Sequence, residues 1–211
     1  MIKIGQATLI NGDCMEFMAT LPDNYYELAI VDPPYGLGDK LAIGGTKHMK
    51  FCDRYQKSTQ WDEMPTEEYF NELKRVSKNQ IIWGGNYFNL GATRGYAVWD
   101  KIQPVKNFSA TEFAWTSFDC PSRLFKLSNN QHDLGGRNHP TQKPVKLYEW
   151  LLTNYAKAGD KILDTHGGSF SSAIACNNLG FDFTGIELDL DYYNSAVKRV
   201  SAANQQIRMF A

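Results

Sequence analysis

The run LAIV at residues 28–31 is apolar at every position, ends on Asp32 and is followed at once by Pro33-Pro34. Continuous apolarity without alternation marks a strand covered on both faces, as in a parallel sheet between layers of helices. Proline has no N–H and a fixed φ, so a central strand cannot run through two of them. The strand must therefore stop on a carboxylate, and the turn after it must be stiff. Such an ending gives a buried sheet a fixed acceptor at its edge.

The same alternation recurs along the chain. Short apolar runs at 7–11, 27–32, 80–84, 95–100, 112–117, 161–165 and 182–187 read as strands. Longer amphipathic segments at 66–78, 143–156, 171–180 and 189–206 read as helices, the first entered through Pro65-Thr66 and the third stopped by Gly180. Strands interleaved with helices predict a doubly wound α/β sheet, in which ligands bind outside the carboxyl ends of the strands. Asp32, Asp164 and Glu187 fall at such ends, and Asp13 follows another strand after Gly12.

At 211 residues the chain suits one domain, 1–211, and 43% hydrophobic with 21% charged residues excludes the disordered class. No stretch approaches the roughly 18 apolar residues a bilayer requires, and MIKIGQATLINGD lacks a signal-peptide core. A cytoplasmic protein with no membrane partner is the expectation. Cys14, Cys52, Cys120 and Cys176 are scattered with no CxxC pair, and His132 and His139 have no third ligand at a sensible spacing. We expect no metal, structural thiols and loop histidines. Trp83, Trp99 and Trp115 lie on apolar strands and read as core or sheet surface.

A net charge of −1 makes the whole protein no magnet for nucleic acid, so such a partner must be held locally. Lys40, Lys47, Lys50, Arg54 and Lys57 face a single acid, Asp53, in a Gly-containing stretch. Alone it reads as a solvated loop. Its position directly after Asp32-Tyr35 turns the balance towards a phosphate backbone. We assign a small nucleic-acid-contact insertion to about 36–60, with 101–137 (Lys101, Lys106, Arg123, Lys126, Arg137) as a second stretch.

In KILDTHGGSFSSAIA a strand ends on Asp164, a glycine turn follows and a helix opens among small residues. Glycines let a backbone approach a ligand closely, and a helix start favours an anionic group. About twenty residues on, Glu187 can accept from ribose hydroxyls. By spacing, this is a nucleoside-cofactor site. At the other motif, Asp32 beside the Pro33 carbonyl puts two acceptors together, which match the two donors of an exocyclic amine. Tyr35 follows with a flat face for stacking. A purely structural turn accounts for the prolines equally well until the other motifs are considered.

DPPY (32–35) resembles the catalytic tetrapeptide of the amino-group DNA methyltransferases, which use S-adenosylmethionine (SAM) on adenine N6 or cytosine N4. NHPTQKPVKLYEWLL (138–152) looks like their Pro-Thr-Gln-Lys-Pro element, and ILDTHGGSFSSAIA looks like their Asp-Pro-Phe-x-Gly-Ser-Gly turn. Catalytic motif first and cofactor motif last is the order of the circularly permuted β-type members. The resemblance implies a Rossmann-like SAM-dependent methyltransferase sheet, mostly parallel with one antiparallel strand.

It also implies roles. Asp32 and the Pro33 carbonyl would take the target amine, Pro34 would stiffen the turn and Tyr35 would stack on a flipped base. Asp13 and Cys14 would lie at the cofactor adenine, with Leu188 packed nearby and Glu187 on the ribose. Thr141, Lys143 and Pro144 would line the methionine part of SAM, with Asp164, Gly168 and Ser169 beneath it. Where the family has Pro-Phe and a final glycine, this chain has Thr165-His166 and Phe170; His166 then stands in the phenylalanine's place, and the turn's geometry comes into question. Aspartate in the first motif position leans towards adenine N6 in a restriction-modification-type or relaxed-specificity enzyme. Cytosine N4, or a SAM- or DNA-binding module without catalysis, are the alternatives. DNA is the implied partner, and the pairing of permuted relatives suggests a homodimer.

Overall fold

The computed structural model describes residues 1–37, 63–102, 109–128 and 142–210, with side chains to residue 206. In chain order the strands are β1 (Ile2–Ile4), β2 (Ala7–Asn11), β3 (Tyr26–Val31), β4 (Ser77–Trp83), β5 (Tyr96–Asp100), β6 (Thr111–Thr116), β7 (Arg123–Lys126), β8 (Lys161–Asp164) and β9 (Asp182–Glu187). The helices are α1 (Cys14–Ala19), α2 (Glu67–Val76), α3 (Val145–Tyr155), α4 (Ser171–Leu179) and α5 (Leu190–Phe210).

The strands form one mixed sheet in the order β1-β2-β9-β8-β3-β4-β6-β5-β7. Its centre, β2-β9-β8-β3-β4, is parallel throughout. The antiparallel strand expected from the resemblance is β6, inserted between β4 and β5. A second reversed strand, β1, pairs antiparallel with β2 at the opposite edge; three residues were too few to read as a strand. The doubly wound α/β reading holds.

Strand β3 illustrates why its run is apolar. Leu28 and Ile30 point to one face, into a cluster with Leu147 and Leu151 of α3, Ala173 and Ile174 of α4 and Val200 of α5. Ala29 and Val31 point to the other, against Met18 of α1 and Tyr69, Phe70 and Leu73 of α2. Alternate residues thus enter two cores, and neither face tolerates a polar group.

The chain leaves β3 through α2 to β4, and leaves β8 through α4 to β9, on opposite faces and in opposite directions along the sheet. The winding reverses between β3 and β8, which are neighbours. Such a reversal opens a crevice at the carboxyl ends of the two strands. Asp32 and Asp164 sit at its two lips.

Within 101–137, the described part 109–128 holds β6, read as a strand from the sequence, and β7, which was not. The six-residue α1, CMEFMA, too short to reveal its period, was not among the helices expected. Lys40, Lys47, Lys50, Arg54, Lys57, Lys106, Arg137 and Thr141 lie outside the described residues, as do Cys52, His132 and His139. Among the described residues no helix is long and apolar enough to cross a membrane, and no group of three or more His, Cys, Asp or Glu side chains could hold a metal.

Candidate active site

Pro33 and Pro34 end β3 and bring Tyr35 back over the strand end, where its hydroxyl donates to Asp32 Oδ1 at 2.6 Å. The ring stacks on Tyr87 (5.1 Å between centroids, 24° between planes) with Phe88 at its edge. Gly84 makes this possible. A Cβ there would stand 2.3 Å from the Tyr35 ring, and its φ of +70° is costly for any side chain.

The second partner of Asp32 is Lys143, whose ammonium donates to Oδ2. The same ammonium lies 3.4 Å from the Tyr35 hydroxyl and 3.4 Å from Glu112 Oε2. It also sits 5.2 Å from the centre of the Trp83 ring. Glu112, on β6, spends its other oxygen on Lys101. The result is an alternating row, Lys101–Glu112–Lys143–Asp32, that ends on the Tyr35 hydroxyl.

Burial works against charge on Lys143, but Asp32 and Glu112 outweigh it and hold the ammonium above its ordinary pKa. Burial likewise opposes ionisation of Glu112, and Lys143 with Lys101 turns the balance, leaving it below the usual range. Burial, then Asp32 and Glu112, push the Tyr35 phenol well up, so it stays a donor. The resemblance put Lys143 along the methionine part of SAM; in the structure its ammonium engages Asp32. Lys101, expected to face nucleic acid, is committed to Glu112. Glu112 itself was missed, although an acid inside an apolar strand is a signal that asks for a buried cation.

Across the crevice, Asp164 accepts from Ser172 Oγ at 2.6 Å and from the His166 N–H at 3.0 Å. Burial still dominates, and its pKa rises to about 7. The turn beyond it is cross-braced to β9: the Gly167 N–H donates to the Ile186 carbonyl, and the Gly168 N–H to Glu187 Oε2 at 2.7 Å. Glu187 Oε1 receives the Asp189 N–H at 2.9 Å. Burial raises the pKa of Glu187.

The unusual Phe170 adopts the left-handed conformation, φ 51° and ψ 40°, immediately before α4. The turn thus keeps the geometry a glycine would serve, with a phenylalanine in it, at a cost of about 1–2 kcal/mol. The offset is burial. Phe170 is fully enclosed, and a Cβ on Gly167 or Gly185 would come within 2.0 or 2.4 Å of its ring. Two glycines, one in the turn and one in β9, make the slot.

The other variant residues are tied to α2. Tyr69 hydrogen-bonds Thr165 Oγ1 at 2.6 Å and approaches His166 Nδ1 at 3.4 Å, with its ring edge-on to the imidazole. Burial lowers the His166 pKa to about 4, so the ring is neutral. Tyr69 was not foreseen; it sits 96 residues from Thr165 in sequence and only the fold joins them.

Asp13 caps α1, accepting from the Met15 N–H at 2.6 Å and the Glu16 N–H at 3.3 Å. Cys14 opens that helix, and burial followed by Asp13 pushes its thiol up to about 11. Leu188 is 69% exposed just beyond Glu187, with its carbonyl held by the Asn11 side chain. Pro144 caps α3. The Ser169 carbonyl accepts from Arg199 of α5 at 2.8 Å, and its hydroxyl lies 3.3 Å from that of Ser171. The structure thus collects Asp13, Cys14, Asp32–Tyr35, Lys143, Asp164–Ser169 and Glu187–Leu188 at one edge of the sheet.

Residues 96–198 match the family model described as DNA methylase, which covers N6 and N4 enzymes. Among curated relatives, the type II methyltransferase M.HinfI of Haemophilus influenzae is 26% identical, over 92% of this chain and 68% of that protein. Among solved structures, the M1.HpyAVI–SAM complex has a TM-score of 0.59 at 20% identity, covering 92% of this chain and 99% of the other. The PvuII cytosine-N4-specific DNA methyltransferase has a TM-score of 0.60 at 14% identity, covering 97% and 95%. The chain therefore has the Rossmann-like fold of SAM-dependent DNA methyltransferases, and carries the DNA methylase sequence pattern over 96–198.

Two outcomes follow from the turn. Phe170→Gly relieves the backbone but empties the slot, for a net loss of about 2–4 kcal/mol; Phe170→Ala empties it and keeps the strain, so it is less stable than the glycine variant by about 1 kcal/mol. Denaturant melts of the two variants read the difference. Separately, His166 is neutral when folded down to about pH 4 but binds a proton near 6.5 when unfolded, so its contribution to stability is lost as pH falls through that window. Asp164 acts oppositely, keeping its proton up to about 7 when folded against 3.8 unfolded. His166→Gln therefore gains stability relative to wild type between about pH 7 and about pH 5 in thermal melts.

Proposed function

We propose that this chain is a SAM-dependent DNA methyltransferase that methylates adenine at N6. The observation that carries the reading is the pairing of two halves across the switch point. An acceptor pair, the Asp32 carboxylate and the Pro33 carbonyl, stands at the end of β3, beside the glycine turn and Glu187 at the ends of β8 and β9. The residues suit the cofactor. Glu187 offers carboxylate oxygens to ribose hydroxyls, and Leu188 leaves an apolar side chain uncovered for a purine face. SAM supplies a methyl group already activated on sulfonium.

The chain's own task is the amine, whose lone pair is delocalised into the base. Hydrogen bonds from its two N–H groups to Asp32 and to the Pro33 carbonyl draw the nitrogen towards a tetrahedral form and free the lone pair. Tyr35, whose ring stacks on Tyr87, would take the base in exchange for Tyr87 or beside it. Before a base arrives, its hydroxyl and the Lys143 ammonium both donate to the Asp32 carboxylate. Positioning and preorganised charge are the two contributions such a site makes. Because the substrate amine is buried inside a duplex, the base is taken out of the stack or supplied single-stranded.

Aspartate at the head of the tetrapeptide supports adenine; cytosine N4 is the second reading, favoured by the shared fold of the PvuII enzyme. The basic residues Lys40, Lys47, Lys50, Arg54 and Lys57 would track the phosphate backbone, and two copies would clasp a duplex.

Purified protein with SAM and unmethylated DNA, digested to nucleosides and read by mass spectrometry, yields N6-methyladenine. N4-methylcytosine instead overturns the base assignment and keeps the chemistry. Asp32→Ala lowers the yield by at least 100-fold while leaving SAM binding in place; transfer at the wild-type rate sinks the role given to Asp32.

A further inference from the structure

The row Lys101–Glu112–Lys143–Asp32 poses a problem. Asp32 must meet a target amine, yet Lys143 already donates to its Oδ2 and Tyr35 to its Oδ1. Pulling a buried cation off its partner leaves two uncompensated charges, at a cost far above that of a surface pair. The geometry offers another place for the ammonium. Lys143 Nζ lies 3.4 Å from Glu112 Oε2, while the other oxygen of Glu112 is taken by Lys101. One carboxylate thus serves two lysines with one oxygen each.

Resting on the methyltransferase reading above, we propose that Glu112 is a positioning residue: it receives the Lys143 ammonium when the target amine arrives, so that Asp32 is released to the substrate without a bare charge in the site. The displacement is under the length of one hydrogen bond. No proton moves, because Lys143 remains an ammonium and both acids remain carboxylates. The Trp83 ring, whose centre is 5.2 Å from the ammonium, faces the cation during the shift. Lys101 anchors the receiving end, itself 5.4 Å from the centre of the Trp99 ring. Trp83, Trp99 and Glu112 come from the paired strands β4, β5 and β6, Lys101 from just after β5, Asp32 from just after β3, and Lys143 from the segment before α3.

The arrangement makes a prediction that simple packing does not. In Glu112→Gln, Lys143 keeps only Asp32 as an ionic partner and competes with the substrate amine. Removing the competitor as well, in Glu112→Gln/Lys143→Gln, returns part of what the single change took. A structural Glu112 behaves in the opposite way: the two losses add or compound.

Methyl transfer and SAM binding are measured on wild type, E112Q, K143Q and the double variant, each with a thermal melt. Expected is a fall in kcat on the order of 30-fold for E112Q, KM for SAM within about 2-fold of wild type, and recovery of roughly 5-fold or more in the double variant. A double variant no better than E112Q, or E112Q equal to wild type, overturns the handover while leaving the methyltransferase reading intact. A wild type that binds SAM and transfers no methyl group to DNA overturns both.

Discussion

Acids buried at the ends of parallel strands cost several kcal/mol each unless donors or cations meet them, and the crevice between β3 and β8 holds such acids on both lips. The chain meets them in two ways. On the β3 side Asp32 is paired with a cation and a phenol. On the β8 and β9 side Asp164 and Glu187 are held mainly by backbone N–H groups and a serine, and burial raises both pKa values. One lip is thus met by side chains, and the other mainly by backbone.

The frame is unusual at one point and conventional in its bonding. Thr165, His166 and Phe170 replace the residues that the family pattern leads one to expect, yet the braces from Gly167 and Gly168 to β9 are all present. Phe170 takes the left-handed backbone conformation because its ring is locked between two glycines, and Tyr69 reaches from α2 to hold Thr165 and His166. Substitutions that look damaging one at a time are matched by partners elsewhere in the fold.

The fold by itself does not identify a base. A cytosine-N4-specific enzyme shares the fold at a TM-score of 0.60, about the same as the 0.59 of the M1.HpyAVI–SAM complex.

Much of this was legible in the order of residues. The seven runs read as strands are strands, because continuous apolarity reports burial on two faces, and the acids at their ends follow from where the apolar runs stop. Asp32, Asp164 and Glu187 were found that way. The short β1, the exposed edge strand β7 and the six-residue α1 were not, since each is too short or too solvated to show a period. What the linear order could not contain is pairing at long range. Lys143 lies 111 residues from Asp32, and Tyr69 lies 96 from Thr165. A lysine in a motif can serve a cofactor or a carboxylate, and only the winding of the sheet, which brings β3, β6 and the start of α3 to one edge, decided that its ammonium goes to Asp32 and Glu112. Local sequence sets which faces are buried; which charges then meet is set by topology, because burial leaves each of them few other partners.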